Sequence, residues 1–186
     1  MVNYFNNIDQ NLFLWMNGFH DPLLDPLMIF LSGQSIWIPM VAFFLWRAKK
    51  VLSSKQLGVF CLFLLMVLIL SDVTSSYIAK NIFGRIRPCR LQELKSVIYQ
   101  FGQKCGGKYG FASSHAANST ALVFFSLNAL ELKTRYHLVW ILVLLVCLSR
   151  IYLGVHYPGD IVGGCTIGSL WAGLITFLFR RTTGHV

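Results

Sequence analysis

The chain has 186 residues, of which 55% are hydrophobic and 12% charged, and a formal net charge of +9. A mean hydropathy of +0.60 excludes an ordinary water-soluble domain and marks a membrane protein. The basic surplus is scattered and lacks a folded soluble platform, so no nucleic acid is expected as a partner and anionic lipid is.

In residues 1–20, Phe5, Ile8, Leu12, Trp15 and Phe19 recur at spacings of three and four, while Asn3, Asn6, Asn7, Asp9, Gln10 and Asn17 fill the other faces. This predicts an amphipathic helix lying in the membrane interface. A signal peptide is disfavoured, because the stretch has no basic start and no small-residue cleavage pattern. A bilayer span needs roughly 20 apolar residues, and the windows 24–46, 57–79, 114–132, 137–155 and 160–179 reach about that length. The expected fold is all-α: a polytopic membrane helical bundle of about five transmembrane helices plus the interfacial helix. Without repeats, linkers or a composition shift, residues 1–186 read as a single membrane-embedded domain.

Orientation follows from the cations. Arg47, Lys49, Lys50 and Lys55 crowd one connection, Lys133 and Arg135 another, and Arg180 and Arg181 the tail. These segments should face the cytoplasm. Alternation then turns the amino terminus, the 80–113 connection and the 156–160 corner outward. The outward connection nevertheless carries Lys80, Arg85, Arg87, Arg90, Lys95, Lys104 and Lys108, a violation that an anionic ligand would explain. Its glycines and Pro88 predict a loop over 81–112 with a short helix near 91–100. Cys89 and Cys105 lie in it, in what would be an oxidising compartment, and are a candidate disulfide pair. Cys61, Cys147 and Cys165 fall in spans as packing residues, and no zinc-type spacing occurs.

Three polar clusters remain. In "KNIFGRIRP", Lys80 and Arg87 stand near a membrane exit, where they suit a phosphate or simply snorkel to headgroups. In "ASSH", Ser113 or Ser114 caps a helix that begins with His115 in its first turn. In "SRIYLGVHYPGD", Arg150 sits at a depth where an unpaired guanidinium is costly, and Pro158 opens the next helix. Asp160 lies four residues beyond His156, close enough to hold one ring nitrogen and leave the other as a nucleophile. All three clusters fall on the outward side. Cations, two helix starts and two histidines are the inventory that phosphoryl transfer uses.

These segments resemble the signatures of the type 2 phosphatidic acid phosphatase family, KxxxxxxRP, PSGH and SRxxxxxHxxxD, over about 25 positions. The first and third match fully; the second matches at Ser113 and His115, with Ala112 in place of proline and Ser114 in place of glycine. The resemblance implies that His156 forms a phosphohistidine, Asp160 orients it and His115 protonates the leaving group. Lys80, Arg87, Ser113 and Arg150 would bind the phosphate, assisted by the Ser114 amide. It further implies catalysis without a metal or other cofactor, on an all-helical core shared with vanadate-dependent haloperoxidases.

Short connections leave little room for a soluble cap, so the substrate should enter sideways from the bilayer. The expected activity is dephosphorylation of a lipid phosphate or diphosphate at the outer face of a bacterial inner membrane. Undecaprenyl diphosphate, a lipid A phosphate, phosphatidylglycerol phosphate and phosphatidic acid all fit. The alternative is a non-catalytic protein that binds or transports anionic lipid. Nothing in the sequence calls for an obligate protein partner.

Overall fold

The structure is a computed structural model that describes residues 2–102 and 105–184, and the side chains of residues 2–6, 134 and 135 lie outside that description, as does Lys104. The described chain is helical, in the order α1 (Val2–Asn17), α2 (Asp25–Ser32), α3 (Trp37–Val51), α4 (Ser54–Phe83), α5 (Ser114–Ala129), α6 (Trp140–Tyr152) and α7 (Pro158–Thr183). α4 and α7 are long and apolar enough to cross a membrane, and α2 with α3, bent by 58° at their junction, make a third span if counted as one. The remaining two expected spans are shorter. α5 has 16 residues and α6 has 13, extended at its start by a 3₁₀ turn over Thr134–Val139.

Sequence explains where these helices start and stop. Ser53 accepts from the amide of Gln56, and the Gln56 side chain accepts from the amide of Ser53. That reciprocal pair satisfies two of the donors a helix start leaves open, and it begins α4. α4 ends at Gly84, whose φ of 55° is left-handed, close to where the loop was expected to begin. Pro88 opens a 3₁₀ turn, Pro88–Arg90, followed by another at Gln92–Leu94. These turns replace the short helix expected near 91–100.

The centre of the bundle is the seam between α5 and α7. A Cβ on Gly164 would stand 2.4 Å from the Ser113 carbonyl oxygen, and one on Gly168 would stand 2.2 Å from that of Ala117. Two glycines four apart on α7 thus let the backbones touch, as small residues do where helices pack without a hydrophobic driving force. At one end Phe60, Phe125 and Phe179 close the core, with ring centroids 5.4 to 6.1 Å apart. At the other end the α5 amino terminus and the α6–α7 corner meet.

α1 presents the apolar stripe expected of an interfacial helix on its outer side. Ile8, Leu12, Trp15 and Phe19 are exposed, whereas Phe13 and Asn17 are buried. Asn17 donates to the Tyr152, Tyr99 and Ile151 carbonyls and accepts from the Tyr99 amide at 2.7 Å. It thereby satisfies carbonyls that the end of α6 leaves open. The apolar stripe points away from the protein while Phe13 and Asn17 point in, which suits a helix whose outer surroundings are lipid.

Candidate active site

His156 occupies the corner between α6 and α7 and is 1% exposed. Its Nδ1 lies 3.2 Å from Asp160 Oδ2, and its Nε2 lies 3.2 Å from Arg87 Nη1. A guanidinium can only donate, so Nε2 must be the accepting nitrogen and Nδ1 carries the proton given to the carboxylate. The tautomer follows from these partners alone: a lone pair on Nε2, aimed toward the cations. Burial, then the charges of Arg87, Arg150 and Lys80, hold the imidazole well below its ordinary pKa, so it is neutral at pH 7.

Asp160 is fully buried and fully engaged. Oδ2 also accepts from the Tyr157 amide at 3.1 Å, and Oδ1 accepts from Arg85 Nη1 at 3.1 Å. Arg85 in turn pairs with Asp9 Oδ2 at 2.6 Å and lies 4.2 Å over the Tyr157 ring. Asp9 Oδ1 accepts from the Gly159 amide at 2.8 Å. A chain of charges from α1 therefore braces the carboxylate that orients His156. Sequence spacing shows Asp9 only as part of the polar side of α1 and Arg85 only as a loop cation, because their partners lie 75 or more residues away. Gly110 was counted merely as a loop glycine. A Cβ there would come within 2.8 Å of Asp160 Oδ2, so the close approach of the loop requires glycine.

The remaining expected residues gather around the same point. Arg87 Nε donates to the Tyr109 carbonyl at 3.0 Å, and the Arg87 amide donates to the Lys108 carbonyl, so the two ends of the long loop are pinned side by side. Cys89 and Cys105 are joined by a disulfide within that loop. Arg150 Nη1 donates to the Ser32 carbonyl at 3.1 Å and to the Ser32 hydroxyl. Lys80 follows a π-helical stretch, Val73–Ala79, and has Arg87, Arg150 and Asp160 among its charged neighbours. π-turns of this kind often occur at functional sites. Ser113 occupies the N-cap position of α5, yet its hydroxyl makes no cap bond. That hydroxyl and Arg150 Nε are buried without partners among the described residues. Such groups, next to a helix start and three cations, are what an oxyanion would satisfy.

His115 stands one residue inside α5, with the cations Arg150 and Arg87 and the neutral His156 as its neighbours. Together with Ser114 it lines a cavity of about 730 Å³ that extends away between α3 and α4. The Trp37 ring lies 6.0 Å from the imidazole. All eight residues expected at the site (His156, His115, Asp160, Lys80, Arg87, Ser113, Ser114 and Arg150) thus lie at one end of the bundle.

A family model described as the PAP2 superfamily matches residues 57–183. The chain belongs to that superfamily. Among PAP2 relatives, a lipid A 4'-phosphatase of Porphyromonas gingivalis is 34% identical over 184 residues, covering 97% of this chain and 78% of that protein. A lipid A 4'-phosphatase of Bacteroides thetaiotaomicron is 29% identical over 193 residues, covering 100% of this chain and 83% of that one. The crystal structure of a transmembrane PAP2 type phosphatidylglycerolphosphate phosphatase from Bacillus subtilis shares the fold, with a TM-score of 0.67 at 18% identity over 96% of this chain and 88% of that one. Asp9 and Ser32, which brace Arg85 and Arg150, precede the segment that the PAP2 model matches.

Proposed function

We propose that the chain is a lipid phosphate phosphatase that needs no metal and works through a phosphohistidine at His156. The observation that carries this reading is the pair of contacts on one imidazole: Asp160 on Nδ1 and a cation on Nε2. Nε2 attacks phosphorus. The bond from phosphorus to the leaving oxygen breaks, and His115 delivers a proton to that oxygen. Water then attacks phosphorus, losing its proton to His115, and the bond from phosphorus to Nε2 breaks, which releases inorganic phosphate and restores His156. Lys80, Arg87, Arg150, Ser113 and the Ser114 amide stabilise the charge that gathers on the phosphoryl oxygens.

The cations of the opposite end, Arg47, Lys49, Lys50, Arg180 and Arg181, favour a cytoplasmic placement there. The site would then open outward from a bacterial inner membrane. The names of the relatives make a lipid A phosphate the first substrate to test, and undecaprenyl diphosphate and phosphatidylglycerol phosphate the next.

Phosphate release from short-chain lipid phosphates in detergent, with chelator present, tests the reading. His156→Ala should lower kcat by roughly 10⁴-fold or more while lipid binding persists. Equal, negligible release from both proteins would make the chain a carrier of anionic lipid instead.

A further inference from the structure

The cavity beside His115 contains a feature that dephosphorylation alone does not require. Asp72 is the one acidic residue between Ser54 and Phe83, and it lies eight residues before Lys80. The π-helical stretch Val73–Ala79 lies between them, so Asp72 stands about two turns deeper along α4 and remains an electrostatic neighbour of Lys80. An ionisable side chain at membrane depth is expensive and marks function by default. Its surroundings are polar by construction. Asn118 Nδ2 donates to Asp72 Oδ1 at 3.0 Å and the Ser76 hydroxyl donates to the same oxygen at 3.3 Å. Asn118 lies one turn beyond His115 on α5, so the two share a face, and Gln34 adds an amide from the α2–α3 bend. The other walls, including Val41, Leu68 and Ile69, are apolar.

This order matters because His115 is the group that meets the leaving oxygen. Whatever is attached to that oxygen must run past His115 toward Asp72. A diphosphate expels a lipid phosphate, which would bring an anion toward a fixed carboxylate in a groove where like charges repel strongly. A phosphomonoester of an acylated sugar or polyol expels a neutral group whose hydroxyl or amide hydrogens a carboxylate accepts well. Building on the phosphatase reading, we propose that Asp72, held by Asn118, forms a leaving-group subsite. It selects phosphomonoesters of hydroxyl- or amide-bearing lipids and rejects prenyl diphosphates.

The test is a ratio. Phosphate release is measured with wild type and Asp72→Asn on a short-chain acylated glucosamine phosphate and on farnesyl diphosphate. Wild type should prefer the sugar phosphate. Asp72→Asn should shift the ratio of the two kcat/KM values by tenfold or more toward the diphosphate, raising the second value while lowering the first. A purely structural role for the Asp72–Asn118 bond would lower both values in proportion, and an unchanged ratio overturns the proposal while leaving the phosphatase reading intact. A wild type that releases phosphate from neither substrate overturns both. If Asp72→Asn does not fold, product inhibition of wild type decides: the uncharged acylated glucosamine should inhibit better than farnesyl phosphate, and the reverse order rejects the subsite.

Discussion

The two ends of the bundle are both rich in cations, but they hold them differently. At the α3–α4 end, Arg47 lies 4.7 Å over the Tyr136 ring, Lys50 lies 4.5 Å over Trp46, and Arg181 lies 4.6 Å over Phe177. Arg180 donates to the Asn128 carbonyl and approaches an exposed Glu131 at 3.8 Å. At the other end, Arg87 and Arg150 are 7% and 5% exposed, and Arg87 faces His156, Arg85 faces the buried Asp160, and Lys80 has Arg87 and Arg150 as neighbours, while Arg90 and Lys108 stay exposed on the loop. Charge counting gives both ends the same description. Unpartnered nitrogens do not separate them either, since Arg47 Nε and Arg180 Nε are as orphaned as Arg150 Nε. What separates them is assembly: mutually repelling cations are buried together only where a chain of fixed anions and a helix start hold them, and that arrangement makes sense when a further anion is to be bound.

The sharpest way to break this comparison is to remove the cation that belongs to the brace. Arg85 reaches Asp160 and Asp9 and stacks on Tyr157, so it positions His156 through its carboxylate. Arg85→Met keeps the apolar stem over Tyr157 and deletes the charge. It should lower kcat by roughly 10- to 100-fold, in the range over which loss of an orienting partner acts, with KM nearly unchanged. A rise in KM with kcat intact would instead make Arg85 a substrate contact.

Arg85 also shows what the sequence left obscure. Lys80, Arg87, His115, Arg150, His156 and Asp160 were legible because local spacing states them: an imidazole and a carboxylate four apart, a helix start ahead of a histidine, cations at a membrane exit. The two cysteines were legible from their place in one loop. The Asp9–Arg85–Asp160 chain was not, because its partners are separated by 75 and more positions and no periodicity links them. α1 was legible as an interfacial amphipathic helix, but not the residues through which it docks. An apolar stripe identifies an amphipathic helix but not which residues meet protein, and here Phe13 and Asn17 together are buried while the stripe stays outside. The shortness of α5 and α6 was hidden by apolar flanks, the 3₁₀ turn at Thr134–Val139 and the loop at Leu153–Val155, which extend the hydropathy window beyond the helix.

Acid titration sharpens the same contrast. His156 is held below its ordinary pKa by burial and by Arg87, Arg150 and Lys80. Its neutral, nucleophilic form should therefore persist below pH 6.5, and the nucleophile's acid limb in kcat/KM should lie beneath that value. The stability sign is the matching one. Below about pH 6.5 the unfolded chain takes up a proton here that the folded chain does not, so His156 opposes folding increasingly as pH falls and contributes nothing above neutrality. Arg87→Met removes the cation that contributes most after burial and should move the acid limb upward. Comparing the proteins on one substrate cancels the substrate's own ionisation, and an acid limb that stays in place would mean that Arg87 does not set the imidazole.

The smallest effect belongs to the other end. Arg47 rests against Trp46 and Tyr136 at 5.4 and 4.7 Å, contacts worth about 0.5 to 1 kcal/mol at exposed sites. Arg47→Ala should change phosphate release by less than about twofold, and should lower thermal stability by no more than that contact energy. The positive-inside bias spreads over several residues, so one charge fewer should leave orientation intact. Loss of activity on this substitution would show that the two ends are coupled through α3, whose start lies at the His115 cavity, and that the division between a topology-setting end and a chemical end is wrong.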